Sequence, residues 1–260
     1  LFGISQLLIE SGYSPEQFYQ PFGLKASIEQ ETEQLIPFKV FTEILVALKQ
    51  KTSLILPSIN LAKLQHQQPT EPYFNLIKSA PNIEVALQIA ERYSYVYGET
   101  TYWYCSEDNH YGIVQRVSHR PLDVIDAELS LYSMAIVCLL MRSFLPVKSL
   151  FKRVSLVQTE DKNRVDLEAF FGCSISFDQE FDGFILDISD LHEPNKEFNP
   201  KQYNDCLTKL SCLPIVYPQN KQLSTVVKGL IVQTLSTGKY SLKVIAGIMN
   251  MHPKALQNKL

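Results

Sequence analysis

The sequence predicts an α+β fold, in which N-terminal helices and a mostly antiparallel sheet form one large domain and an all-α segment follows. Three observations predict it. Through about the first 95 residues, apolar side chains recur every three or four positions, as in amphipathic helices. From Thr101 onward, short runs of β-branched and aromatic residues separated by polar turns indicate strands. After Ser241 the helical spacing returns. Helices followed by mostly antiparallel strands are typical of the α+β class.

The opening third contains three predicted helices. Glu71–Ser79 has helical spacing, and the turn-and-cap cluster Ser79–Asn82 begins another helix. The clearest helix is Phe38–Lys49, because its apolar residues share one face. Those residues are Val40, Phe41, Ile44, Leu45 and Leu48.

The middle of the chain predicts a hairpin and a long helix. Thr101–Ser106 and Tyr111–Ser118 are the two strands, joined by the polar turn Glu107–His110. Pro121 suits the first position of a helix that extends to about Phe144, with acidic residues in its first turns, where the helix dipole favours them. The elements predicted beyond it are a strand at Phe151–Val157, a helix from Arg164 to Phe171 ended by Gly172, and strands at Ser174–Phe177 and Gly183–Asp187.

Two prolines, Pro214 and Pro218, favour an extended connector. We therefore predict a domain of residues 1–212, a linker of residues 213–222 and a C-terminal segment of residues 223–260.

Composition excludes several classes of protein. With 260 residues, 45% of them apolar, the chain can bury a full core and is not a disordered polymer. The longest apolar stretch, Leu129–Met141, contains two serines and is shorter than the about 20 residues of a membrane span, so we predict a buried helix. No secretory signal pattern is present in the residues given. The five cysteines form no CxxC pair and the five histidines no HExxH motif, so we expect a cytoplasmic protein without a metal or other cofactor.

The charge is distributed unevenly along the chain. The whole protein has 24 basic and 27 acidic residues, a formal charge of −3. Cys206–Leu260 nevertheless contains seven lysines and no Asp or Glu. Such a segment favours a polyanionic partner, because lysines neutralise phosphates and release condensed counterions. That partner is either nucleic acid or an anionic membrane.

The last twenty residues have the pattern of a helix-turn-helix. Leu242, Ile245, Ala246 and Met249 share one face behind the capping residue Ser241. Asn250–His252 interrupts the helical pattern, and Pro253 suits the first position of a second helix, in which Leu256 and Leu260 share the inward face.

In a helix-turn-helix the second helix enters the major groove with its outward residues against the bases. Here those residues are Lys254, Gln257 and Asn258. Gln and Asn bond adenine bidentately, whereas Lys reaches guanine or phosphate. An ordinary helical subdomain with a solvated lysine face is the alternative.

Ser241–Leu260 resembles the first helix-turn-helix of AraC-type bacterial transcription regulators. The upstream body is similar to the effector domain that this family calls arabinose-binding-like, so the resemblance covers nearly the whole chain. Its matching stretches are Ser79–Leu87, the hairpin after Tyr95, Arg153–Val157 and Phe170–Phe177.

The resemblance implies a cytoplasmic, ligand-responsive regulator that works as a homodimer on promoter DNA, with RNA polymerase as a further partner. Family members have two helix-turn-helix units, and this sequence stops after the first, so we expect weak DNA binding from it. Family members also favour Ser at the cap and Arg in the recognition helix, where this chain has His252 and lysines, which lack the bidentate fork of Arg. The candidate DNA-contacting residues are Lys243, His252, Lys254, Gln257, Asn258 and Lys259.

An aromatic run around the hairpin, followed by basic residues, suggests where a small-molecule effector binds. The candidate effector-binding residues are Tyr102, Tyr104, Arg116 and His119. Alternation along the strand puts Trp103 on the opposite face from the two tyrosines, so the run cannot line one cavity. The alternatives are a hydrophobic core for the aromatic residues and a surface ion pair for Arg116, which is the best candidate for binding an anionic group.

Other functions have weaker support. The acidic pairs Asp123 with Asp126 and Asp187 with Asp190 are common on helix starts and turns, and no nucleophile elbow or phosphate loop accompanies them, so we do not expect an enzyme. A membrane-bound tail would need aromatic anchors in its helices, which the motif lacks. A stand-alone small-molecule-binding or dimerisation module without competent DNA binding is the main alternative function.

Overall fold

The computed structural model describes residues 1–31, 36–67, 72–93, 101–108, 110–118, 127–145, 151–211, 241–248 and 251–260, together with residues 223, 224, 227 and 231. The chain divides into two compact units. Unit 1 comprises Leu1–Gln68, Asp126–Ile136 and Gln222–Leu260; unit 2 comprises Pro69–Ile125 and Val137–Lys221. The predicted linker, residues 213–222, lies outside the described residues, and the predicted domain division stays a prediction.

The N-terminal part of unit 1 is a helical cluster around one apolar core. Its helices are α1 (Ile4–Glu10), α2 (Pro15–Tyr19), α3 (Phe38–Lys51) and α4 (Pro57–His66), with two short 3-10 turns at Gln20–Phe22 and Ala26–Gln30. The predicted helix at Phe38–Lys49 is confirmed as α3. Three of its predicted face residues, Ile44, Leu45 and Leu48, are fully buried, and Val40 and Phe41 pack against them.

Glu29 ties the start of α1 to this cluster. Its carboxylate accepts hydrogen bonds from the backbone N–H of Gly3 at 3.0 Å and of Ser5 at 2.7 Å, and also from the Ser5 hydroxyl. The buried Tyr19 hydroxyl donates to the same carboxylate at 2.8 Å. Burial, and then the negative charge of Glu29, raise the pKa of Tyr19, so the phenol remains a proton donor.

Helix α7 (Ala127–Phe144) contributes its first half to unit 1. Its 18 residues have a mean hydropathy of 1.4, which satisfies the length and composition of a membrane span, but 61% of that stretch is buried, as in a core helix. Glu128 in its first turn is buried; it forms an ion pair with the Lys49 ammonium at 2.7 Å and accepts a hydrogen bond from the Ser58 hydroxyl at 2.6 Å. The predicted buried helix is therefore present, and the residues before Ala127, including the predicted start at Pro121, lie outside the described residues.

Unit 2 contains a five-stranded sheet and several helices. Its helices, apart from the second half of α7, are α5 (Pro72–Lys78), α6 (Ile83–Tyr93), α8 (Arg164–Phe171), α9 (Ile188–His192) and α10 (Pro200–Ser211). Its strands are β1 (Thr101–Asp108), β2 (Tyr111–Ser118), β3 (Phe151–Ser155), β4 (Ile175–Ser176) and β5 (Gly183–Asp187). The order is β1-β2-β5-β3-β4, and only the β3–β4 pair is parallel, which confirms a mostly antiparallel sheet and the α+β class.

One face of this sheet forms the core of unit 2. Val114 of β2 is fully buried between its register partners Cys105 of β1 and Phe184 of β5. Trp103 of β1 stacks on Phe184 with their ring centroids 5.8 Å apart. Phe151 of β3 packs against the same Phe184 ring at 4.6 Å. Alternation along each strand therefore puts these aromatic side chains together, although they are distant in sequence.

Several strand boundaries differ from the predicted ones by one or two residues, and the strand predicted at Ser174–Phe177 comprises only Ile175–Ser176. The strand predicted at Phe151–Val157 ends at Ser155, because the Val157 N–H leaves the ladder and donates to the Asp182 carboxylate at 2.9 Å. The polar turn predicted at Glu107–His110 is shorter, since β1 continues to Asp108.

The helix predicted at Arg164–Phe171 is confirmed as α8, and Gly172 ends it in the left-handed region with φ of 68°. Such a C-cap favours glycine, which has no Cβ to strain the backbone. Glu168 on this helix accepts hydrogen bonds from the Ile175 N–H at 3.2 Å and from Arg164 Nε at 3.1 Å. The Ile175 N–H and then Arg164 hold the pKa of Glu168 below its ordinary 4.5.

A carboxylate whose pKa is lowered in the folded state stabilises that state at pH values above the ordinary pKa. This stabilisation is lost as the pH falls through the pKa of the folded state. We therefore expect Glu168→Gln to be less stable than the wild type near neutral pH and to converge with it as the pH falls below about 4.5. Urea denaturation of both proteins at several pH values checks this. A difference that persists unchanged into acid would contradict the assigned ionic role.

Candidate functional site

The C-terminal residues form the predicted pair of helices, α11 (Leu242–Ile248) and α12 (Pro253–Lys259). Four residues separate them, and of these Met249 and Asn250 lie outside the described residues. The Met251 N–H donates to the Ala246 carbonyl at 2.8 Å, five residues back, which closes the end of α11. This hydrogen bond ends the first helix in a tight turn, and the second helix begins two residues later, at Pro253.

Capping groups fix both helix starts. The Ser241 hydroxyl accepts a hydrogen bond from the Val244 N–H at 3.4 Å, as predicted for this cap. At α12 the cap is His252, whose Nδ1 accepts from the Lys254 N–H at 3.3 Å. Imidazole therefore takes the place that a serine hydroxyl fills in many caps, and it does so with Nδ1 unprotonated.

A small apolar core holds the two helices together. Ile245 and Ala246 of α11 and Leu256 of α12 are buried in it, together with Val227. Sequence reasoning missed Val227 and its companions Leu223 and Ile231, which also pack there and are helical. Their four-residue spacing was the available signal.

Two residues that were predicted to lie on the inward face are exposed. Leu242 at the start of α11 is 41% exposed, and Leu260 after α12 is 55% exposed. Leu242 is the first residue of α11 and Leu260 follows the last residue of α12, so helical spacing alone overestimated their burial.

Every candidate DNA-contacting residue is exposed: Lys243, His252, Lys254, Gln257, Asn258 and Lys259. At about 100° per residue, Lys254 and Asn258 point about 160° away from the buried Leu256, so they share the outward face of α12. Gln257 lies on its flank. Lys259 is only about 60° from Leu256 around the helix and is exposed because it lies in the last turn.

The candidate effector residues do not come together in one described site. Arg116 of β2 pairs in register with Trp103, so it belongs to the buried face of the sheet. Tyr104 pairs with Gln115 on the opposite face and is 46% exposed. The side chain of Tyr102 and the whole of His119 lie outside the described residues.

Arg116 forms a buried ion pair that the sequence did not reveal. Its Nη1 donates to Asp182 Oδ2 at 3.1 Å, and both side chains are less than a tenth exposed. The Arg116 N–H also donates to the Asp182 carbonyl at 2.8 Å. Because the two residues are 66 positions apart, no local pattern predicts the pair.

Three of the described cysteines, Cys105, Cys138 and Cys173, are poor nucleophiles. Burial raises the pKa of the Cys138 thiol to about 12 and the pKa values of the Cys105 and Cys173 thiols to about 11. Among the residues that the structure describes, no three His, Cys, Asp or Glu side chains are placed to hold a metal ion.

Comparison with solved structures identifies a similar fold. The crystal structure of the transcriptional regulator CdpR from Pseudomonas aeruginosa matches with a TM-score of 0.57 over 99% of this chain and 76% of that chain. The sequence identity is 12%, so this likeness shows the fold alone. No curated protein sequence matches the chain.

A match to a protein-family model identifies the family of this chain. The model described as the arabinose-binding domain of AraC transcription regulators, N-terminal, matches residues 12–195, which is more than half of the chain. The matched range includes helices α2, α3 and α4 of unit 1 as well as the whole sheet of unit 2. The chain therefore belongs to the family of AraC transcription regulators that carry this N-terminal arabinose-binding domain.

Proposed function

We propose that this chain is a ligand-responsive, sequence-specific DNA-binding transcription regulator and not an enzyme. Its N-terminal domain senses a small molecule, and its C-terminal helix-turn-helix reads the major groove. The observation that carries the proposal is the exposed outward face of α12, with Lys254 and Asn258 opposite the buried Leu256. Family membership adds support, since the matched model describes a domain of transcription regulators.

The chemistry of this face suits DNA. Asn258 has the amide that bonds adenine in the major groove, and Lys254 can reach a guanine edge or a phosphate. Lys243 at the start of α11 is also exposed and can contact a phosphate. No acidic residue occurs from Cys206 to Leu260, so nothing on this segment repels the phosphate backbone.

The proposal extends to the partners of the protein. A homodimer would give two reading helices and therefore a two-fold symmetric site. Transcriptional control would bring it into contact with RNA polymerase in the cytoplasm. On the sensing side, Arg116 is the residue that we assign to an anionic group of the effector, and Tyr104, on the opposite face of the sheet, does not join it.

In-vitro selection tests the DNA-binding part. The full chain is used to enrich duplexes from a random DNA library, and the enriched sequence is compared with a shuffled version of itself by fluorescence anisotropy. We expect tighter binding to the enriched duplex, at an affinity that falls steeply with salt. Equal affinity for the two duplexes, or no enrichment, would overturn sequence-specific binding and leave a module that only binds small molecules or dimerises.

A further inference from the structure

The guanidinium of Arg116 has more hydrogen-bond donors than its ion pair uses. Arginine carries five N–H groups, and here Nη1 donates to Asp182. Nε is buried and has no hydrogen-bond partner among the residues that the structure describes. A buried donor without an acceptor costs the desolvation of that group, so such an atom calls for an explanation.

The geometry of the ion pair leaves one edge of the guanidinium available. Nη1, at the end of the side chain, donates a single hydrogen bond to Asp182 Oδ2. The edge formed by Nε and Nη2 is one on which a carboxylate forms two parallel hydrogen bonds. Nε lies on that edge, and Asp182 does not engage it.

Asp182 is too firmly held to move to that edge. Its Oδ1 accepts a hydrogen bond from the Val157 N–H at 2.9 Å, and its carbonyl accepts the Arg116 N–H at 2.8 Å. These bonds fix the carboxylate between β2 and the end of β3 and keep the Arg116 side chain in one position. The guanidinium is therefore preorganised, which lowers the entropic cost of binding a further partner.

The surroundings suit an organic ligand. Trp103 lies directly across the strand pair from Arg116 on the same buried face. An apolar wall with a few fixed polar groups is typical of sites for small molecules.

We propose that the effector is a small carboxylic acid whose carboxylate binds the Nε edge of Arg116, beside the Asp182 ion pair. The inference rests on the effector-sensing part of the proposed function and names the class of its ligand. The carboxylate satisfies the unpaired Nε donor, and Asp182 holds the guanidinium in place. A neutral ligand of the same shape lacks the charge that this edge selects.

Isothermal titration of the full chain without DNA tests the proposal. The probes are acetate, propionate, lactate and benzoate, each compared with its amide, and inorganic phosphate serves as a second anion. We expect saturable binding of at least one carboxylate and at least tenfold weaker binding of its amide. Binding of no carboxylate, equal binding of acid and amide, or a preference for phosphate would overturn it.

Two variants test whether the carboxylate binds at Arg116. Arg116→Lys retains the positive charge beside Asp182 but lacks the planar fork, so we expect at least tenfold weaker carboxylate binding. Arg153→Lys makes the same change at an exposed position of β3 and should leave binding unchanged. If Arg116→Lys melts like the wild type and binds the acid equally well, the assignment is wrong.

A third variant tests the assignment if Arg116→Lys does not fold. Arg116→Met with Asp182→Asn removes both buried charges together, which proteins tolerate better than the loss of one partner, and the amide oxygen introduced at position 182 still accepts the Val157 N–H. It should fold and lose carboxylate binding, and retained binding would overturn the assignment. Because these titrations contain no DNA, their failure is distinct from a failure of the DNA selection.

Discussion

Replacing Lys254 with glutamate is expected to weaken DNA binding by about tenfold or more at moderate salt, because it converts a phosphate attraction on the outward face of α12 into a repulsion. Lys254 is exposed and points away from Leu256, so the substitution leaves the apolar core of the helix pair unchanged. The measurement is fluorescence anisotropy with the duplex enriched by in-vitro selection, at several salt concentrations. The dependence of affinity on salt should become shallower, since one fewer counterion is released.

Lys162→Glu provides the matched control. It makes the same change of charge at an exposed lysine of unit 2, far along the sequence from the helix-turn-helix. Any general effect of net charge on binding a polyanion would therefore act on both variants alike. If the two variants lose the same amount of affinity, α12 does not enter the groove and DNA contact through this helix is refuted.

Local sequence patterns predicted individual elements well. Helix α3 and helix α8 were both predicted within two residues of their ends, because apolar spacing and a C-terminal glycine are local signals. The hairpin β1–β2 was predicted for the same reason, as its strands are neighbours in sequence. The order of the sheet was not predicted, since β5 inserts between β2 and β3 and no local pattern encodes that pairing.

In the candidate site, too, the sequence predicted the local features and not the long-range contacts. The turn between α11 and α12 and the caps at Ser241 and His252 follow from residues a few positions apart, so the sequence predicted them. The ion-pair partner of Arg116 could not be predicted from the sequence, because Asp182 contacts Arg116 only when β2 and β5 pair. The tertiary contacts of a buried charge thus determine which of its donors remain for a ligand.

Gly183→Ala is expected to destabilise the protein by about 3 kcal/mol, which is at the upper end for overpacking a core position. Gly183 begins β5, and a Cβ there would lie 2.5 Å from the backbone oxygen of Val114 and 3.0 Å from the Phe181 ring. A backbone oxygen of the neighbouring strand cannot rotate away. The β2 and β5 strands must therefore separate, which weakens the sheet beside the Arg116–Asp182 pair.

Gly112→Ala is the informative comparison. A Cβ at Gly112 would lie 2.3 Å from Leu191 Cδ1 and 2.9 Å from Leu191 Cγ, which are side-chain atoms of the short helix α9 and move with a change of rotamer. We expect a smaller loss, and Leu191→Ala should reduce it further in a double-mutant cycle. Urea denaturation followed by fluorescence reports on this sheet directly, because the single tryptophan, Trp103, stacks on Phe184 next to Gly183. A Gly183→Ala protein as stable as the wild type would show that β2 and β5 do not approach as closely as described.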